Sequence, residues 1–116
     1  MPNPNIIQLS EFDITQRIIE SLSNVCTRSV LFSVKNQSKD ATQIADELKI
    51  SLSTVYKTLS TLEDLALAEV DKYIISQEGK KIKQYRSRIG KVEITMDDLE
   101  PSLNLYANTA NPKSNP

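Results

Sequence analysis

The stretch "DATQIADELKISLSTVYKTLSTLEDL", residues 40–65, decides how this chain folds. Asp40 and Gln43 stand at the spacing of a capping box, in which the carboxylate closes the first helical turn and the amide reaches back to the cap. Ile44, Ala45 and Leu48 then form the inner face of a short helix. After "KIS", Ser51 reads as the N-cap of a further helix over residues 52–65. A helical rotation of about 100° per residue places Leu52, Val55, Leu59, Leu62 and Ala66 within one arc, and the first four are read as core. The opposite arc carries Ser53, Lys57, Ser60 and Asp64, flanked by Thr54, Tyr56 and Thr61. A solvated helix usually presents Glu and Lys pairs there. This face is instead neutral or positive until Glu63 and Asp64 in the last turn, where acids oppose the helix dipole. Ser and Thr inside a helix compete with it for hydrogen bonds, so a face built of them needs a reason beyond solvation.

Working outward, Ser10 followed by Asp13 resembles a capping pair, and Phe12, Ile14, Ile18, Ile19 and Leu22 recur at roughly helical spacing, predicting a first helix to about Ser23. Thr27 reads as the cap of a second helix to about Asn36, in which Val30, Leu31, Phe32 and Val34 are dense enough to be central. "NQSKD" is a polar break before the Asp40 helix. Downstream, "LAEVDKYII" turns to β-branched and aromatic residues, "SQEGKK" supplies a turn containing Gly79, and "IKQYRSRI" alternates. The alternation puts Ile82, Gln84, Arg86 and Arg88 on one side and Lys83, Tyr85, Ser87 and Ile89 on the other. These segments predict a β-hairpin over residues 70–88, basic at its tip and along its return strand. "KVEI" adds a further short strand, and residues 96–107 read as a short C-terminal helix with Leu103 and Tyr106 inward.

The ends, residues 1–9 and 108–116, are Pro, Asn and Ser-rich and read as disordered tails around a domain at residues 10–95. The chain has 116 residues and is expected to be soluble and cytoplasmic, since no apolar run approaches the roughly 20 residues that span a bilayer. Cys26 is alone, so no intrachain disulfide forms, and it reads as a small buried hydrophobe. Histidine is absent, which removes the usual zinc and copper shells and the commonest acid/base residue. The only glycines are Gly79 and Gly90, too few for a phosphate loop. No enzyme, metal or cofactor is expected. The net charge of −1 hides a local excess: Lys72, Lys80, Lys81, Lys83, Arg86, Arg88 and Lys91 stand against Glu78 alone, a patch of the kind phosphate binding requires.

The order of helix, helix, short helix, turn, helix and basic hairpin is that of a winged helix-turn-helix, α+β and mostly helical, with three to four helices and a β-hairpin wing. The run from Asp40 to Val70 resembles the helix-turn-helix of archaeal and bacterial transcriptional regulators of the ArsR-like and MarR-like superfamily. Ile44, Ala45, Leu48, Ser51, Ser53, Thr54, Val55, Leu59 and Leu62 carry the resemblance, which covers roughly residues 27–89. Such relatives often have glycine in the turn, where this chain has "LKIS", so Lys49 or Ile50 must adopt the turn geometry. The metal-sensing branch uses a cysteine pair on the helix before the recognition helix; "TQIADEL" contains none.

The resemblance implies double-stranded DNA as partner, with residues 52–65 in the major groove and the wing on the adjacent minor groove or backbone. Expected contacts are Ser51, Ser53, Thr54, Tyr56, Lys57 and Ser60 on the recognition helix, Thr42 and Gln43 at the start of the preceding helix, and Lys80, Lys81 and Lys83 on the wing. Arg86 and Arg88 add to the field, while Tyr73 and Tyr85 are expected to pack the hairpin onto the helices. Lysines on an exposed strand also deter edge pairing, which is the bland reading of the wing. One recognition helix reads few base pairs, so a homodimer is expected, through Phe12, Ile14, Ile18, Ile19 and Leu22 or through Leu103 and Tyr106. The alternative is a winged-helix protein interaction module within a larger assembly. RNA fits less well, because the narrow major groove of an RNA helix does not admit this element.

Overall fold

The computed structural model describes residues 4–110, with side chains described from residue 14 onward. Four helices, α1 (Pro4–Ser23), α2 (Val25–Ser33), α3 (Ala41–Leu48) and α4 (Leu52–Asp64), precede four strands, β1 (Ala68–Ile75), β2 (Lys81–Ser87), β3 (Ile89–Thr95) and β4 (Ser102–Ala107). The strands pair as two antiparallel hairpins, β1 with β2 and β3 with β4. The architecture is α+β, a helical core with a hairpin wing, as the element order predicts.

Each helix boundary has a local chemical cause. Arg28 donates to the carbonyls of Leu22 at 2.8 Å and Ser23 at 3.0 Å, so a cation satisfies the last acceptors of α1 and fixes the corner into α2. At α3 the capping box is complete: the Gln43 N–H donates to Asp40 Oδ1 at 2.8 Å, and the Asp40 N–H donates to Gln43 Oε1 at 2.8 Å. The α3–α4 turn is made by Lys49, left-handed at φ 60° and ψ 43°, after which the Ile50 N–H reaches back to the Ala45 carbonyl at 3.2 Å. Ser51 then caps α4 by accepting the Thr54 N–H at 3.2 Å. Helix α4 closes in a Schellman turn, with the Ala66 N–H on the Glu63 carbonyl and the Leu67 N–H on the Leu62 carbonyl.

Val55, Leu59 and Leu62 of α4 are buried against Val30, Leu31 and Val34 and against Ile44, which binds the helices into one core. Ile18 and Leu22 close it from α1, Leu67 closes it from the turn before β1, and Ala68, Tyr85 and Ile89 close it from the strands. The wing is anchored by paired backbone bonds between Lys39 and Tyr85, with Lys39 N–H to Tyr85 carbonyl at 3.1 Å and the reverse at 2.8 Å. This bridge lies in the segment read as a polar break, and it makes β2 the middle of the sheet at that level. Gly79, at φ 81°, turns β1 into β2.

Several sequence expectations need correction. Helix α1 begins at Pro4, ahead of Ser10, so residues 4–9 are helical and not a tail; the fixed φ of proline suits a first turn. Residues 1–3 and 111–116 lie outside the described residues. The cap of α2 is Asn24, whose Oδ1 accepts the Thr27 N–H at 3.0 Å, and the helix stops at Ser33. Leu52 is 42% exposed because it sits in the first turn of α4, beyond the reach of the core. Ala66, at the end of the same arc, is exposed at φ 60° and serves as the left-handed closing residue of α4. The expected C-terminal helix is strand β4: Leu103 and Leu105 pair across from Ile94 and Val92 on one apolar face, so the two-residue period of "SLNLYA" prevails over the helical spacing of Leu103 and Tyr106. Pro101 stands just before that strand, where its missing N–H costs no ladder bond.

Candidate nucleic-acid interface

With Val55, Leu59 and Leu62 turned inward, α4 presents Ser53, Tyr56, Lys57 and Ser60 to solvent, as the arc analysis predicts. Thr54 is half-buried, and its hydroxyl accepts from Ser51 Oγ at 2.8 Å. Ser51 is exposed, but its oxygen is occupied by the cap. Thr61 bonds back to the Lys57 carbonyl at 3.3 Å, and Thr58 is buried, so these two hydroxyl residues serve the helix and the core. Ser53 and Ser60 are therefore the short hydroxyls on the open face. Thr42 and Gln43 are both exposed at the start of α3. The Gln43 side-chain carbonyl is engaged in the capping box, which leaves its NH2 group as the donor available for another contact.

Of these residues, Tyr56 and Thr42 share a surface with the wing lysines, whereas Ser51, Ser53, Thr54, Lys57, Ser60 and Gln43 lie outside it. One open groove of about 470 Å³ is lined by Asp40, Ala41 and Thr42 of the α3 entrance, Tyr56 of α4, and Ser76, Glu78, Lys80, Lys81 and Lys83 of the wing. Elements separated in sequence thus share one concave surface, bounded by the first turn of α3, the middle of α4 and the hairpin loop. Ser76 shapes the loop, accepting the Lys80 N–H at 3.1 Å on its hydroxyl and the Gly79 N–H at 2.9 Å on its carbonyl.

The basic excess noted in the sequence divides in two. Arg86 is half-buried and its guanidinium donates to the Ala110 carbonyl, Arg88 faces Glu69 at 3.9 Å, and Lys91 pairs with Glu93 at 3.2 Å. Among the described residues, Lys72, Lys80, Lys81 and Lys83 of that stretch are in no ion pair, and neither is Lys57 on α4; Lys80, Lys81 and Lys83 line the groove together with Asp40 and Glu78, and Lys57 lies outside its lining. The unpaired lysines of the stretch thus stand towards the wing tip, away from the Arg86, Arg88 and Lys91 contacts at its base. Tyr85 is buried as expected, and burial, followed by the charge of Glu63, pushes its phenol up from the ordinary value. Tyr73 is the residue that the sequence misplaces. It is 52% exposed, with Lys81 Nζ 5.3 Å from its ring centroid. The only available signal was its place opposite the basic return strand.

Of the residues expected at a dimer contact, Ile18 and Leu22 are buried in the chain's own core and so have no surface to offer a partner. Ile14 is 52% exposed, Ile19 and Leu103 are half-buried, and Tyr106 is exposed with its hydroxyl on Glu93 at 2.7 Å. The side chain of Phe12 lies outside the described residues. Cys26 is half-buried and packs against the core. Among the described residues no group of His, Cys, Asp and Glu is arranged to hold a metal ion, and no helix is long and apolar enough to cross a membrane.

No protein-family model matches the chain. Over 63 residues it is 35% identical to a protein of Methanocaldococcus jannaschii named as an uncharacterized HTH-type transcriptional regulator. The matched stretch makes up 54% of this chain and 66% of that protein, so the chain spans just under two thirds of its relative's length. The similarity supports a helix-turn-helix regulator and does not extend to the ArsR-like or MarR-like assignment.

Proposed function

We propose that the chain is a sequence-specific, double-stranded DNA-binding transcriptional regulator of ArsR-like or MarR-like type that acts as a homodimer without metal or cofactor. The observation that carries this reading is the shared surface of α4, the α3 entrance and the wing, on which Tyr56, Thr42 and Lys80, Lys81 and Lys83, none of them in an ion pair, converge. In this reading α4 enters the major groove, where Ser53 and Ser60 allow close approach and Tyr56 and Lys57 reach base edges. The α3 entrance and the wing hold phosphates, which sets register and supplies most of the affinity. The similarity to a named helix-turn-helix regulator supports the helix-turn-helix regulator part of this reading.

A homodimer places two such surfaces on half-sites about one helical turn apart. Ile14 on α1 and the apolar face of the β3–β4 hairpin, where Ile94 is 45% and Leu105 40% exposed, offer surface for that contact. Selection of bound sequences from a random duplex pool tests the proposal. The expected product is a two-fold symmetric sequence. A pool that never enriches, together with no duplex affinity at low salt, would leave a protein interaction module in its place.

A further inference from the structure

Strand β1 ends in Tyr73, Ile74 and Ile75, which are 52%, 41% and 64% exposed. This is the outer strand of the wing, since β2 lies between it and the Lys39 bridge. An outer strand at a solvated edge is usually charged or short, so consecutive exposed apolar residues are unexpected there.

Their orientation is set by a bulge. The β1–β2 register runs Val70 to Tyr85 and then Lys72 to Gln84, which leaves Asp71 without a partner. Even alternation from Val70 would have placed Lys72 and Ile74 on the face of Tyr85. The extra residue instead sets Tyr73 opposite Lys83 and Ile75 opposite Lys81. The face that starts as buried Tyr85 at the base therefore continues towards the tip as Tyr73, Lys83, Ile75 and Lys81.

We propose that Tyr73 and Ile75 form the apolar half of the wing's contact with a DNA duplex, packing on deoxyribose at the minor groove while Lys81 and Lys83 meet the flanking phosphates. The inference rests on the DNA-binding reading above and adds to it two contact residues and the Asp71 bulge that aims them. Charge selects the occupant. A second copy seated on this face by a two-fold axis would bring Lys81 and Lys83 against their own counterparts, at a cost in repulsion. A duplex offers anionic phosphates beside apolar sugar walls and so matches both halves.

The test measures affinity of the full chain for a labelled duplex by fluorescence anisotropy across a salt series, with thermal unfolding of each variant as a check on folding. Lys81→Ala should lower the salt slope by about 1, because one phosphate contact is lost. Ile75→Ser should weaken binding about tenfold at every salt concentration with the slope unchanged, since apolar burial releases no counterions; Tyr73→Ser should act in the same direction. Unchanged affinity of both Ile75→Ser and Tyr73→Ser, on a duplex that the unaltered chain binds, would overturn the inference and leave the DNA-binding reading standing. A change in sedimentation without a change in duplex affinity would also overturn it and assign the face to a contact between copies. If the unaltered chain binds no duplex at low salt, both readings fall together.

Discussion

The Ser38 hydroxyl donates a 2.6 Å hydrogen bond to Asp71 Oδ2, joining the segment before α3 to the residue that bulges out of β1. Ser38 is 7% exposed, and its neighbour Lys39 closes the paired backbone bonds to Tyr85. Side-chain and backbone contacts from two consecutive residues thus hold both wing strands to the helical core. Ser38→Ala removes a hydrogen bond to a charged acceptor, and a loss of about 1–2 kcal/mol is expected. A lower urea midpoint at an unchanged slope is the measurement that checks it. No shift in midpoint would mean that water replaces Ser38 at Asp71 without loss.

What the sequence made legible is local. The Asp40 and Gln43 capping box, the Ser51 cap and the inward row of Val55, Leu59 and Leu62 depend on residues within a turn or two of one another, so spacing suffices to read them. The exposed face of α4 follows from the same rotation. The features that escaped depend on distant partners. Nothing in "NQSKD" announces that Lys39 pairs with Tyr85, or that Ser38 holds Asp71 in a bulge. Without the bulge, alternation puts Tyr73 and Ile75 on the wrong face and leaves lysines as the sole contact chemistry of that side of the hairpin. The C-terminal strand escaped because Leu103 and Tyr106 fit a helix as well as Leu103 and Leu105 fit a strand, and the pairing with β3 decided between them.

Leu52 and Leu62 test the burial assignment directly. Leu62 is fully buried and packs in the core, so Leu62→Ala should cost about 2–5 kcal/mol in transfer and cavity terms. Leu52 is 42% exposed, and Leu52→Ala should cost well under about 1 kcal/mol. Chemical denaturation of the two variants side by side separates these values, and comparable losses would contradict the outward placement of Leu52.

On the polar face of the second hairpin, the Tyr106 hydroxyl donates to Glu93 at 2.7 Å, and Lys91 stands 3.2 Å from the same carboxylate. The Tyr106 bond, followed by the bond and charge of Lys91, holds the Glu93 carboxyl below its ordinary value of 4.5. A depressed folded-state value makes this contribution to stability present above the unfolded value and lost as pH falls through the folded one. Tyr106→Phe should therefore move the Glu93 titration up towards 4.5, read by carboxyl NMR shifts against pH. An unmoved titration would show that Lys91 and Asn104 set it without the Tyr106 bond.

Ala66 holds a left-handed conformation at φ 60° to close α4, and an L-residue with a Cβ is disfavoured there. Ala66→Gly keeps both Schellman bonds, because they use backbone groups. The strain relieved exceeds the added unfolded-state entropy, so a gain of up to about 1 kcal/mol is expected, seen as a raised melting temperature. A loss on this substitution would mean that the Ala66 methyl makes a contact worth more than the strain.

Lys57 and Lys81 carry the same charge but occupy different positions, and the proposed interface assigns them different work. Lys57 projects from the middle of α4 among Ser53, Tyr56 and Ser60, a position from which a side chain reaches base edges. Lys81 lies on the wing over Tyr73, where the proposed interface sets it against the duplex backbone. Lys57→Ala should narrow the gap between the selected duplex and a random one by about 1–3 kcal/mol, because it removes discrimination as well as attraction. Lys81→Ala should weaken both duplexes by the same factor and leave the gap intact. The comparison needs both duplexes at one salt concentration, since the electrostatic part changes steeply with ionic strength. Identical effects of the two substitutions on the two duplexes would mean that α4 contributes charge only, and that sequence is read from elsewhere on the surface or from the shape of the DNA.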